Sequence, residues 1–135
     1  MKAAGQLVLT PFPNTDLSSA KLRPVLLLCK ASSRFDDWLV CMVSSQLHQA
    51  EPQVDEFVRS TDEDFGATGL KVSSVARVSR LAVLQGESMI GCLGQVSPLR
   101  LLALRTRVAR WIESGGESFG VSAGARPTAT QDRLK

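Results

Sequence analysis

The chain has 135 residues and an apolar content of 44%, enough for one domain to bury a core without metal or disulfide staples. No stretch approaches the roughly 20 apolar residues of a membrane-spanning helix, and three cysteines without a C-x-x-C argue against a disulfide framework or a zinc site. The net charge of +3 is unevenly spread, positive from Met1 to Arg34 and acidic from Glu51 to Asp64; such a field can draw a polyanion, although ordinary surfaces carry similar ones.

The N-terminus MKAAGQLVLT lacks a long apolar segment followed by a small-residue cleavage site, so no secretory signal is expected. Gln6 to Thr10 reads as a first strand. Pro11 and Pro13 cannot donate to a ladder, so the chain is expected to leave the sheet there. The polar stretch that follows, to Lys21, either covers a site or is a plain connector. Cys29, Cys41 and Cys92 all lie in apolar runs and are expected as buried, reduced thiols, which points to a cytoplasmic location.

Leu22–Lys30 and Trp38–Gln46 are apolar runs of strand length, separated by the turn-forming ASSRFDD, and read as a β-hairpin. A turn centred between Ser33 and Arg34 makes the numbers of paired residues sum to about 67 by antiparallel pairing. Arg23 and Ser44 meet that sum at the open end, with Ser45 one register step away. Pro24 suits the beginning or the edge of a strand. An arginine beside a hydroxyl can hold a phosphodiester and stabilise charge developing on it. The alternative is an arginine paired with a carboxylate such as Asp16.

The acidic segment from Leu47 to Gly69 is expected to be a long loop with a solvated negative face. Within it, a short strand is expected near Val54–Val58 and a helical turn near Thr61–Phe65. Leu70–Leu84 alternates as a half-buried strand, QGES turns, and Met89–Val96 is another strand whose glycines mark a bend or bulge. SPLRLLALRTRVARWIESGG is a helix with Ser97 as N-cap, Pro98 at its first position and Gly115–Gly116 at its end. Leu101, Leu104, Val108, Trp111 and Ile112 form its apolar stripe, and Arg100, Arg107 and Arg110 form a face expected to be solvated. Residues 114–135 read as a weakly ordered tail on a domain of residues 1–113. The whole is a mainly β fold, a bent antiparallel sheet or barrel with a C-terminal α-helix. The chain has a single histidine and no G-x-S-x-G, Gly-rich phosphate loop or H-E-x-x-H. The Asp62, Glu63, Asp64 run offers carboxylates for a metal, though such runs are usually solvated.

GQLVLTPFPNTDLSSAKLRPVLLL, CMVSSQ, GLKVSSVARVSRLAVL and IGCLGQVS, in that order, resemble the PemK/MazF-like toxins of type II toxin–antitoxin systems. The FP-x-TDLSS-x-K-x-RP segment is the most specific part. The resemblance implies an SH3-like barrel with a C-terminal helix, working as a homodimer. It implies sequence-specific cleavage of single-stranded RNA without metal or other cofactor, by attack of the RNA's 2′-oxygen. It also implies inhibition by a cognate antitoxin. By motif position Arg23 and Ser44 fall on the family's catalytic Arg and Thr, with Ser19, Lys21, Ser45 and Gln46 as further RNA-binding candidates. Ser44 keeps the hydroxyl of that Thr and loses its methyl, and Gln6 stands where the family commonly has Asp. A non-catalytic toxin or binding module on the same barrel, like the gyrase poison CcdB, is the competing reading.

Overall fold

The computed structural model describes residues 2–13 and 20–116. Six antiparallel strands, β1 (Gln6–Pro13), β2 (Ala20–Lys30), β3 (Asp37–Ser44), β4 (Glu56–Val58), β5 (Ser74–Gln85) and β6 (Gly91–Gln95), form one curled half-barrel in the order β4-β5-β3-β2-β1-β6. Helix α1 (Phe65–Thr68) and helix α2 (Pro98–Glu113) complete the mainly β fold.

β1 does not stop at Thr10. It runs on through both prolines, with Pro11 opposite Leu22 and Pro13 opposite Ala20. The reason lies in the alternation of backbone groups along an antiparallel strand. The Ile90 N–H donates to Leu9 O at 2.7 Å, so the odd-numbered groups of β1 face β6. Pairing with β6 ends at Leu9↔Gly91, so the prolines lack an N–H only where the sheet offers no acceptor.

The hairpin of β2 and β3 is as expected, and Val25↔Met42, Leu26↔Cys41 and Leu27↔Val40 obey the sum of 67. A bulge at Leu28 shifts the register nearer the turn. On β2 the odd residues bond towards β1, because the Gly5 N–H reaches Leu27 O at 2.7 Å. Pro24 therefore turns its nitrogen towards β3, and the recorded β2–β3 pairing ends at its neighbour Val25.

Opposite residues in a ladder share a face, so the register divides the sheet cleanly. One face carries Leu7, Leu26, Cys41, Val43, Ala76 and Val78, packed with Val54, Val58 and with Leu104 and Val108 of α2. The other carries Val8, Val25, Leu27, Trp38 and Val40. The strand expected over Leu70–Leu84 begins at Ser74, and its first residues are buried on both sides, Val75 as fully as Ala76, rather than half-buried. The expected strand near Val54 is the shorter β4, and the expected helical turn lies later, in α1.

Ser97 caps α2 by accepting the Arg100 N–H, and Gly115 and Gly116 end the helix at φ 68° and 82°. Ile112 was expected in the packing stripe but is 65% exposed, because the buried stripe is centred on Leu104 and Val108. The expectation of a solvated arginine face holds for Arg110, which is exposed, and is corrected for Arg100 and Arg107. Arg100 donates to Asp64, Glu56, Asp62 and the Phe57 carbonyl, and Arg107 to Glu56 and the Val54 and Asp55 carbonyls. The acidic segment is thus largely clasped by the helix rather than solvated. Asp55 is buried and accepts from Arg77 and Ser79. Cys41 is buried as expected, whereas Cys29 is half-buried and Cys92, on the thin glycine-flanked edge strand β6, is exposed. Of the tail expected from residue 114, residues 117–135 lie outside the described residues.

Candidate nucleic-acid interface

The face of the sheet that does not carry α2 gathers polar side chains at one end. Thr10 of β1 stands opposite Arg23 of β2, so the two share that face. Val25↔Met42 puts the odd residues of β2 on the same face as the even residues of β3. Lys21, Arg23 and Ser44 therefore lie on one side, at the end of the hairpin remote from its turn. Continuing the sum of 67 past Pro24 aligns Arg23 with Ser44. Each is held from outside the seam between them: Arg23 by its pairing with Thr10, and Ser44 by its pairing with Val75 of β5.

Local hydrogen bonds fix the neighbours of the seam. Thr10 is buried and its hydroxyl donates to the Ser88 carbonyl at 3.1 Å. The Ser44 hydroxyl oxygen accepts the Gln46 backbone N–H at 3.0 Å. This turn restricts a side chain that lacks threonine's methyl and leaves the Ser44 proton to donate outwards.

Of the remaining candidates, Lys21 is exposed on β2, and Ser45 and Gln46 are exposed just past the end of β3. Ser19 and Asp16 lie outside the described residues. Of the carboxylates considered for a metal, Glu63 is exposed and the other two are engaged elsewhere. Asp62 and Asp64 both bond Arg100, and among the described residues no group of His, Cys, Asp and Glu is arranged to hold an ion. Arg100 is the first cause holding the Asp64 carboxyl down at about 2.

The register adds residues that sequence reasoning missed. Ser44 faces Val75, and Val75 faces Phe57 of β4, so the row Thr10, Arg23, Ser44, Val75, Phe57 crosses five strands on one face. Arg77, opposite Met42, shares this face but is tied to Asp55 at 3.0 Å. Arg59 follows Phe57 by two positions and holds its guanidinium 4.4 Å from the ring centre. The spacing F-V-R was the available signal, since alternate residues of a strand share a side.

The fold class is thus mainly β: a curled six-stranded antiparallel half-barrel with a C-terminal helix packed on one face. Residues 3–112 match the family described as the PemK-like, MazF-like toxin of type II toxin–antitoxin systems, and the chain belongs to that family. No curated protein sequence matches. Among solved structures, the chain resembles an endoribonuclease in complex with its cognate antitoxin from a Mycobacterial species. The TM-score there is 0.58 at 14% identity, over 84% of this chain and 96% of that one. It also resembles the Mycobacterium tuberculosis toxin MazF-mt6, with a TM-score of 0.57 at 16% identity over 80% and 96%. At such identities the likeness is one of fold. No helix among the described residues is long and apolar enough to cross a membrane.

Proposed function

We propose that the protein is a cytoplasmic toxin that cleaves single-stranded mRNA at specific sequences, acts as a homodimer and is neutralised by a cognate antitoxin. The observation that carries this reading is the sharing of one sheet face and one strand end by Arg23 and Ser44, within a PemK/MazF-like fold. A structural neighbour solved with its cognate antitoxin supports that partner.

In this reading the scissile phosphate sits over the seam between β2 and β3. The 2′-oxygen of the preceding ribose attacks phosphorus as its proton leaves. The bond to the 5′-oxygen breaks and that oxygen gains a proton, leaving a cyclic phosphate and a 5′-hydroxyl. Arg23 holds two phosphoryl oxygens with its planar donors and offsets the charge that grows on them. Ser44 donates to the same group. The nucleophile belongs to the RNA, so the protein supplies no covalent intermediate and the step calls for no metal.

Incubation of the purified protein with a long transcript in chelator tests the reading directly. Discrete fragments ending in cyclic phosphate are expected from the parent and none from Arg23→Ala. Equal cleavage by an Arg23→Ala variant of unchanged circular dichroism would overturn the assignment. Intact RNA with the parent protein would favour the non-catalytic alternative.

A further inference from the structure

We infer that Phe57 and Arg59 form a stacking subsite for one RNA base beside the scissile phosphate, an inference that rests on the ribonuclease reading above. The strand register carries the argument. Phe57 lies in the same cross-strand row as Ser44, with only Val75 between them. Two strand spacings separate Phe57 from Ser44, about 10 Å. A base one or two nucleotides from a phosphate over Ser44 spans that distance, passing over the covered Val75.

The chemistry at Phe57 suits a base. The ring is half-buried, and the exposed Arg59 guanidinium lies against it at 4.4 Å. That guanidinium has no hydrogen bond or ion pair with any described residue, whereas Arg77, Arg100 and Arg107 are each committed to carboxylates. Its donors are therefore open to a base edge or a phosphate, and arginine planes and aromatic rings are the common stacking partners of unpaired bases. Val75, between Phe57 and Ser44, is fully buried and so offers a base nothing to bind.

The pair is also held in place from behind. Arg100 accepts no role on this face. It reaches through from the opposite side to the Phe57 carbonyl at 2.9 Å. The Arg59 backbone N–H donates to Asp62 at 2.8 Å, and Asp62 is itself bonded to Arg100. The subsite thus stands on the same clasp that fixes α2, which limits what a base must order on binding.

The test uses the full chain and a fluorescent, 2′-O-methyl single-stranded RNA spanning a cut site mapped on a transcript. Phe57→Leu and Arg59→Gln are each expected to weaken binding about ten-fold, the order of one base stacked on a side chain. Phe57→Tyr, which keeps the ring, is expected to bind like the parent. One abasic substitution beside the cut should cost the parent the same factor and cost Phe57→Leu nothing further. Parent-like affinity in the exposed-site variant Arg59→Gln, with or without a folded Phe57→Leu, overturns the subsite, as does an undiminished abasic penalty in Phe57→Leu. If the parent cuts RNA in an Arg23-dependent way while the variants bind normally, the subsite alone falls. If the parent neither binds nor cuts RNA, the ribonuclease reading falls with it.

Discussion

Arg100 Nη2 lies 3.0 Å from Asp64 Oδ1, and its Nε lies 3.0 Å from Asp64 Oδ2, a two-pronged contact that joins the first turn of α2 to the segment between β4 and β5. With Glu56 on Nη1 and Asp62 sharing Nη2 with Asp64, Arg100 offsets the repulsion among three neighbouring carboxylates. Truncating it leaves Asp62 and Asp64 without a counter-charge, while Glu56 keeps Arg107. Arg100→Ala should therefore cost about 3 kcal/mol of stability, by analogy with broken buried pairs. The denaturant midpoint measures this, and an unchanged midpoint would show the clasp to be ornamental.

The same contact sets an acid dependence. Hydrogen bonds from Arg100 come first among the causes that lower the Asp64 carboxyl from 3.8 to about 2, and the Ser97 N–H adds to them. A carboxyl depressed in the folded state contributes stability that is complete above its unfolded value and is lost as pH falls through the folded one. Stability should decline between about pH 4 and pH 2. Asp64→Asn should be less stable at neutral pH and show a flatter decline across that window, followed by thermal unfolding at a series of pH values.

Ser44 gives a graded test of the seam. On the proposed mechanism Ser44→Ala removes a donor to the phosphate and should slow cleavage by about 10²–10³-fold. Ser44→Thr keeps the hydroxyl and should cleave at or above the parent rate. Single-turnover rates on a mapped RNA would decide, and equal rates for the alanine variant would remove Ser44 from the reaction.

The three thiols should react in order of access. Burial, followed by the charges of Asp55 and Glu56, pushes the Cys41 thiol up to about 12, whereas Cys92 is exposed. A thiol reagent at pH 8 should modify Cys92 rapidly and reach Cys41 only on unfolding. Peptide mass mapping of a time course checks the order.

Gly94 should tolerate no side chain. A Cβ there would overlap the Ala67 carbonyl oxygen, and one on Gly69, at φ +76°, would strike the Leu93 carbonyl. α1 and β6 meet backbone to backbone at these two positions. Gly94→Ala should destabilise by about 1–3 kcal/mol, the usual cost of overpacking, read again from the denaturant midpoint.

Local rules made much of this fold legible. The N-cap at Ser97 and the glycine stop at Gly115 each follow from capping alone. The turn itself sets a β2–β3 sum of 68, at Cys29↔Leu39 and Lys30↔Trp38, and the bulge at Leu28 shifts it to 67 beyond Leu27, a step that loop length does not reveal. What escaped the sequence was long-range. Nothing near Pro11 says that β6 stops at Leu9, so the continuation of β1 was hidden. Arg100 and Asp64 are remote in sequence, and each taken singly looks like an ordinary surface charge. Phe57 escaped for the same reason, since its place beside Ser44 exists only through Val75 on a third strand.

Pro24 has a consequence beyond its own strand. An ordinary amide there could bond the facing carbonyl of β3, and the two strands would zip two residues further, across the ground where the proposed RNA strand would lie. A ring with no proton to give works as a wedge in the fabric. Ending the ladder this way forgoes one hydrogen bond, and the backbone itself then keeps the two strands from closing beyond Val25.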